Sequence, residues 1–202
     1  LQVLSVADVY EWFARPPNRG DEAIHRDEQD LFFTHPEANC MDIEYPSKLE
    51  RLSFFAGYLA TLGYESKDFQ GALLWFTNWG VWNSLDEGIG YRIVETMHTA
   101  AGQSKSFEAA PGHIFRADEL QEAIGMLLQP MVFGWDAMFV PWWSYGYNEF
   151  FLYVSHDSFL SVVTRTKEFH VKTFERLRAL DLNPKPGDEM RLRRFCRVSQ
   201  SL

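Results

Sequence analysis

A chain of 202 residues, 46% apolar, 16% aromatic and 23% charged, can bury one sizeable core, so a single domain over residues 1–202 is expected. Its aromatic content excludes a disordered chain. Its longest apolar runs, such as residues 71–76 and 125–128, fall far short of the roughly twenty residues that cross a bilayer, so no membrane span is expected. The net charge of −9 is uneven: residues 1–164 carry 9 basic and 23 acidic side chains, and residues 165–202 carry 10 and 5, so the acidic body disfavours nucleic acid as a partner.

The chain begins at Leu1, and the first residues, LQVLSVADVYEWF, lack the basic start and small-residue cleavage site of a signal peptide. Cys40 and Cys196 lie far apart with no CxxC spacing, which fits reduced thiols and a cytoplasmic location. In Ser5–Ala14, Val6, Val9, Tyr10 and Phe13 recur at helical spacing, and Pro16 and Pro17 end the pattern. Residues 15–30 are charged, have no apolar period, and read as a mobile loop.

Beyond Asn39, CMDIEY alternates as a strand, with Met41, Ile43 and Tyr45 on one face and Asp42 and Glu44 on the other. Ser47 is placed to cap a helix whose stripe is Leu49, Leu52, Phe55, Ala56 and Leu59, with Gly63 as its stop. Ala72–Trp82 reads as a strand buried on both faces, with Gly80 suited to a bulge. A helix is expected from Ser84 or Asp86 to Thr99 with Ile89, Ile93, Val94 and Met97 inward; the GIG at its start allows close packing. After a loop over residues 101–112, Asp118 is placed to cap a helix that ends before Pro130.

Three strand-like runs follow, Trp135–Trp143, Phe150–His156 and Phe159–Thr164, joined by connections that suit an antiparallel meander. A helix over Glu168–Leu180 places Phe169, Val171, Phe174, Leu177 and Leu180 on its apolar side, and a basic tail occupies residues 183–202. This order gives an α+β or mixed α/β fold: a predominantly antiparallel central sheet, including the C-terminal three-stranded meander, packed by four to five helices.

The run from Phe133 to Phe151 holds nine aromatic residues in nineteen positions. Extended, residues 135–143 put Trp135, Ala137, Phe139, Pro141 and Trp143 on one side and Asp136, Met138, Val140 and Trp142 on the other, the pattern of a strand covered on both faces. Trp142, Trp143, Tyr145 and Tyr147 cluster about a Ser/Gly turn and suit recognition, with Glu149 at the polar rim, because aromatic side chains offer large contact area with few rotamers to freeze.

Candidate chemistry is sparse. His156 and Asp157 end a strand, where a scaffold can fix a general base, although an Asp there is also an ordinary turn former. Asp42 and Glu44 share a face at a spacing that permits a shared metal or divided acid and base roles, although a solvated strand face is the simpler reading. His98, His113, His156 and Cys40 can serve as metal ligands only if the fold gathers them, since the chain has no HExxH, no CxxC and no His pair at i and i+4. Phosphate-loop and nucleophile-elbow motifs are also missing, so neither metal nor cofactor is expected.

The leading expectation is a non-catalytic protein-binding or regulatory domain that neutralises or docks a basic partner. The alternative is an enzyme, a hydrolase with a cleft near His156, Asp157 and the aromatic turn. A third reading is an adaptor whose basic tail meets RNA, DNA or an acidic protein.

Overall fold

The computed structural model describes residues 1–14, 38–62, 69–78, 88–143 and 149–187. In chain order the elements are β1 (Gln2–Leu4), α1 (Val6–Ala14), β2 (Asn39–Glu44), α2 (Leu49–Ala60), β3 (Phe69–Asn78), α3 (Ile89–Ala100), β4 (Gly112–Arg116), α4 (Leu120–Phe133), β5 (Asp136–Trp143), β6 (Phe150–Ser155), β7 (Phe159–Thr164), α5 (Lys167–Ala179) and β8 (Lys185–Pro186). The strands form one sheet in the order β1-β4-β3-β5-β6-β7-β2-β8, and every neighbouring pair is antiparallel. The fold is thus α+β with an antiparallel sheet, and β5, β6 and β7 make the expected meander.

Alternation along β5 sorts its side chains onto two cores. Trp135, Ala137 and Phe139 face the larger core, which α2, α3, α4 and α5 cover, whereas Met138 and Val140 face a second core that includes Val9 of α1. The register carries the same face across the meander, since Phe139 pairs with Leu152, which pairs with Val162, and Ala137 pairs with Val154. All five of these side chains are buried in the larger core, so the period of two was a sound guide here.

The helices bury less of their apolar surface than their stripes imply. Leu52, Phe55, Ala56 and Leu59 of α2 are buried, but Leu49 in its first turn is 60% exposed. On α3 the inward seam is Gly90, Val94 and His98, while Ile89 is 71% exposed and Ile93 also faces outward. The reason is close backbone contact: a Cβ on Gly90 would lie 2.6 Å from the Phe133 ring and 2.9 Å from Trp135, so this face must sit against the core. Val171 of α5 is likewise outside, whereas Leu177 is buried as its stripe implied and Thr173 is buried beside it.

Helix ends also depart from the sequence reading. Ser5 and Asp8 cap α1 reciprocally, each accepting the other's backbone N–H at 3.2 and 3.0 Å. The N-cap of α2 is Lys48 rather than Ser47, and that of α3 is the extended Gly88 rather than Ser84 or Asp86. Thr61 closes α2 by donating its hydroxyl to the carbonyls of Gly57 and Tyr58. Before α4, a short 3-10 turn over Ala117–Glu119 replaces an Asp118 cap, with Glu119 accepting the Arg116 N–H at 3.0 Å. Pro130 lies inside α4, buried against the core, and the helix stops instead at Gly134, whose φ of 65° no ordinary residue adopts cheaply. The connection read as a loop over residues 101–112 leads directly into β4, which no alternation had announced. Gly63, Gly80, the charged stretch 15–30 and residues 188–202 of the basic tail lie outside the described residues.

Truncating Phe139 to Ala should cost about 3–5 kcal/mol, since its ring fills the centre of the larger core. Val171→Ala, on the outer face of α5, should stay within about 0.5 kcal/mol. Urea denaturation of both variants measures the contrast.

Candidate functional site

Two regions singled out in the sequence lie at opposite ends of the sheet. Strand β5 runs from Asp136 to Trp143 and β6 returns from Phe150 to Ser155, so the flanks of the aromatic turn are one strand length, roughly 20 Å, from His156 and Asp157. Among the described residues, Trp142 and His156 therefore do not wall one cleft. At the aromatic end, Trp142 is partly buried against the second core, its ring edge-on to Trp12 at 5.5 Å, and Glu149 accepts the Arg165 N–H through its backbone carbonyl. The side chain of Trp143, with Tyr145 and Tyr147, falls outside the described residues.

At the other end, Ser155 to Ser158 form the tight connection between β6 and β7. The Ser158 N–H reaches the Ser155 carbonyl at 3.3 Å, and Ser158 takes a φ of 65°, the left-handed residue that closes a short hairpin. This turn presents His156 to Asp136 at the start of β5. The Asp136 carboxylate, with 10% of its side chain exposed, accepts the His156 backbone N–H at 2.9 Å and the ring Nδ1–H at 2.8 Å. That bond requires a proton on Nδ1, and Nε2 faces Asp157, whose Oδ1 is 3.6 Å away. An imidazole so fixed can serve as a base, and the same bonds also tie β5 to the turn after β6.

Beside this turn lies an open cleft of about 540 Å³, walled by Asp42 and Glu44 of β2, Tyr45, Asp157, Phe159 and Lys185. The pair Asp42 and Glu44 is therefore on one face, as their spacing implied, but each carboxylate has its own work. Asp42 accepts the Ser161 hydroxyl at 2.6 Å, and Glu44 takes the Lys185 ammonium at 2.6 Å, a bond that holds the Glu44 carboxyl below its usual range. The Tyr45 hydroxyl donates to the Ser155 carbonyl at 3.1 Å; burial, reinforced by the Asp136 charge, keeps it protonated far above ordinary conditions. Tyr45 is thus a tie between β2 and the turn rather than an acid or base.

Of the four potential metal ligands, the fold gathers two. His98 of α3 and His113 of β4 meet through their Nε2 atoms inside the larger core, whereas Cys40 is buried in the second core and His156 sits at the far turn. Among the described residues no three His, Cys, Asp or Glu side chains converge on a common point, and no helix is long and apolar enough to cross a membrane. The signal for Asp136 was present in the sequence: pairing residues 135–143 with 150–156 as an antiparallel hairpin brings Asp136 beside Ser155 and His156. For His98 and His113 no such local rule applied, because β4 was not recognised as a strand.

No family model matches the chain, and no curated protein or solved structure matches it significantly.

Replacing Asp136 by Ala leaves the His156 N–H and ring nitrogen without their buried acceptor and should destabilise the fold by about 1–3 kcal/mol. Asp157→Ala, at a side chain 65% exposed, should change stability by less than about 0.5 kcal/mol. Equal losses in thermal or urea denaturation would contradict this assignment.

Proposed function

We propose that the chain is a protein-binding or regulatory domain that docks a basic partner, with the cleft beside the β6–β7 turn as the acceptor of a cationic side chain. The observation that supports this reading is the charge of the cleft wall: three carboxylates, Asp42, Glu44 and Asp157, against the single ammonium of Lys185. Tyr45 and Phe159 supply apolar surface on which the aliphatic part of a Lys or Arg can lie. The surplus of 28 acidic over 19 basic residues favours the same class of partner at longer range and speeds encounter. The cleft is better suited than Trp142, part of whose surface is already committed to Trp12.

A second reading, an enzyme of hydrolase type, is favoured by one specific feature, the imidazole of His156 held by Asp136 next to the same cleft. In that reading His156 is the base and Asp136 its orienting carboxylate. Loss of chromogenic-ester hydrolysis in His156→Gln, with the fold intact, would favour it over simple docking.

Titration with a hexa-arginine peptide by calorimetry tests the binding reading. The double variant Asp42→Asn/Asp157→Asn keeps the acceptor for Ser161 and should weaken binding roughly tenfold or more. A control of equal charge change on exposed residues elsewhere, Glu108→Gln/Glu122→Gln, should weaken it by less than about twofold. Equal losses in the two double variants would show general charge attraction and overturn the assignment to the cleft.

A further inference from the structure

Both imidazoles of the buried pair are fully enclosed, and each comes from a different layer: His98 from helix α3 and His113 from strand β4 of the sheet. Their hydrogen bonds fix their tautomers. The Lys105 carbonyl lies 3.4 Å from His98 Nδ1, and a carbonyl only accepts, so His98 carries its proton on Nδ1 and presents a lone pair at Nε2. His113 must then donate from Nε2, and its own Nδ1 is a bare lone pair. That atom makes no hydrogen bond and is sealed from solvent. The chain from carbonyl to His98 to His113 is therefore complete only while both rings are neutral and in opposite tautomers.

A proton added to this arrangement has no good place. On His98 Nε2 it would set two N–H groups against each other. On His113 Nδ1 it would put a cation among Phe76, Phe107 and Phe115, whose ring centres lie 5.5, 6.2 and 6.4 Å from that imidazole, with the Pro111 and Leu74 carbonyls near the ring but not in hydrogen-bond geometry to Nδ1. The seam that holds α3 is also narrow, since Gly90, Val94 and His98 are its fully buried positions and Ile89 and Ile93 face away.

We propose that His98 and His113 form an acid-sensitive latch: proton uptake by the pair releases α3 and the 101–111 connection from the sheet while the β5–β6–β7–β2 ladder stays folded.

The charged groups facing the latch do little to prevent this. Glu95, one turn before His98 on α3, favours a proton there, but its carboxylate is held by the Phe107 N–H at 2.7 Å. Lys105 gives its carbonyl to His98 and turns its ammonium to Asp8, 3.6 Å away. The charged side chains of β4 and of the first turn of α4, Arg116 and Glu122, are exposed, and β3 presents the uncharged Leu74 and Phe76. Burial is the main force on both rings. It pushes His113 down to about 3, with His98 adding to the effect and the Pro111 and Leu74 carbonyls opposing it weakly without a bond of normal geometry to Nδ1; it lowers His98 as well. A released imidazole regains its ordinary value of about 6.5. Because the closed state binds protons less readily than the open one, the latch is fully effective above about pH 6.5 and weakens as pH falls below it.

Hydrogen exchange on the full chain, corrected for intrinsic rates, reads the latch directly. Between about pH 7.5 and pH 5, the opening constant of α3 amides should rise about thirtyfold if one imidazole takes up a proton and toward a thousandfold if both do, with β6 and β7 amides left behind. The double variant His98→Leu/His113→Phe should remove that dependence. Parallel loss of protection in α3 and in β6–β7, or a dependence that survives in the variant, would overturn the proposal. Should the variant not fold, ring-nitrogen spectra of the unmodified protein decide: neutral, opposite tautomers in the folded chain near pH 6 support the latch, and a doubly protonated ring in the closed state at that pH overturns it.

Discussion

Strand β5 buries apolar side chains on both faces of the sheet, and this double burial removes the usual safeguard of strand register. In a strand with one wet face, a slip of one residue drives polar groups into the core and is rejected. In β5 a slip exchanges Ala137 and Phe139 with Met138 and Val140, all apolar, so hydrophobicity discriminates weakly between the two settings. The polar groups at the end of the ladder supply the missing discrimination. Asp136 holds the turn after β6 through the His156 N–H and Nδ1, and Asp42 of β2 holds the Ser161 hydroxyl of β7. Both contacts are lost if a neighbouring strand moves by one position.

The same polar groups explain why the cleft and the register cannot be separated. Tyr45, Asp42 and the β6–β7 turn each tie two strands together, and each stands at or beside the cleft wall. Side chains that fix the register of neighbouring strands are held still, which is also what a docking site requires. The aromatic end is built differently, with Trp142 seated on Trp12 and against Gly71, where a Cβ would come within 2.8 Å of the indole. There the constraint is steric fit rather than hydrogen bonding.

Much of this was legible where one period dominated. Trp135, Phe139, Leu152, Val154 and Val162 were readable as one buried face because period-two alternation survived through three consecutive runs. Pro130 misled because a proline normally ends a helix; here it gives up the i→i−4 bond to the Met126 carbonyl, and burial of its ring against the core helps to offset that loss. Ile89 and Ile93 misled for a different reason. The inward face of α3 was chosen by the absence of a side chain at Gly90 and by the polar contact of His98, and hydropathy scores both as outward. Strand β4 was hidden because Gly112, His113 and Arg116 leave only Ile114 and Phe115 to show an apolar pattern. With β4 unread, the partner of His98 could not be found, whereas the Asp136 and His156 contact followed from folding one hairpin back on itself.

Helix α3 carries a further implication for what keeps it helical. Its sequence, IGYRIVETMHTA, combines a glycine in the first turn with the β-branched residues Ile89, Ile93, Val94, Thr96 and Thr99, a composition with poor intrinsic helicity. A segment of twelve such residues is too short to persist as a nascent helix in the unfolded chain. The surface that organises it, made by Trp135, Phe133 and His113, exists only where β4 pairs with β3 and α4 leads into β5. The helix that closes the aromatic core is thereby held in shape by non-local contacts rather than by its own helical propensity.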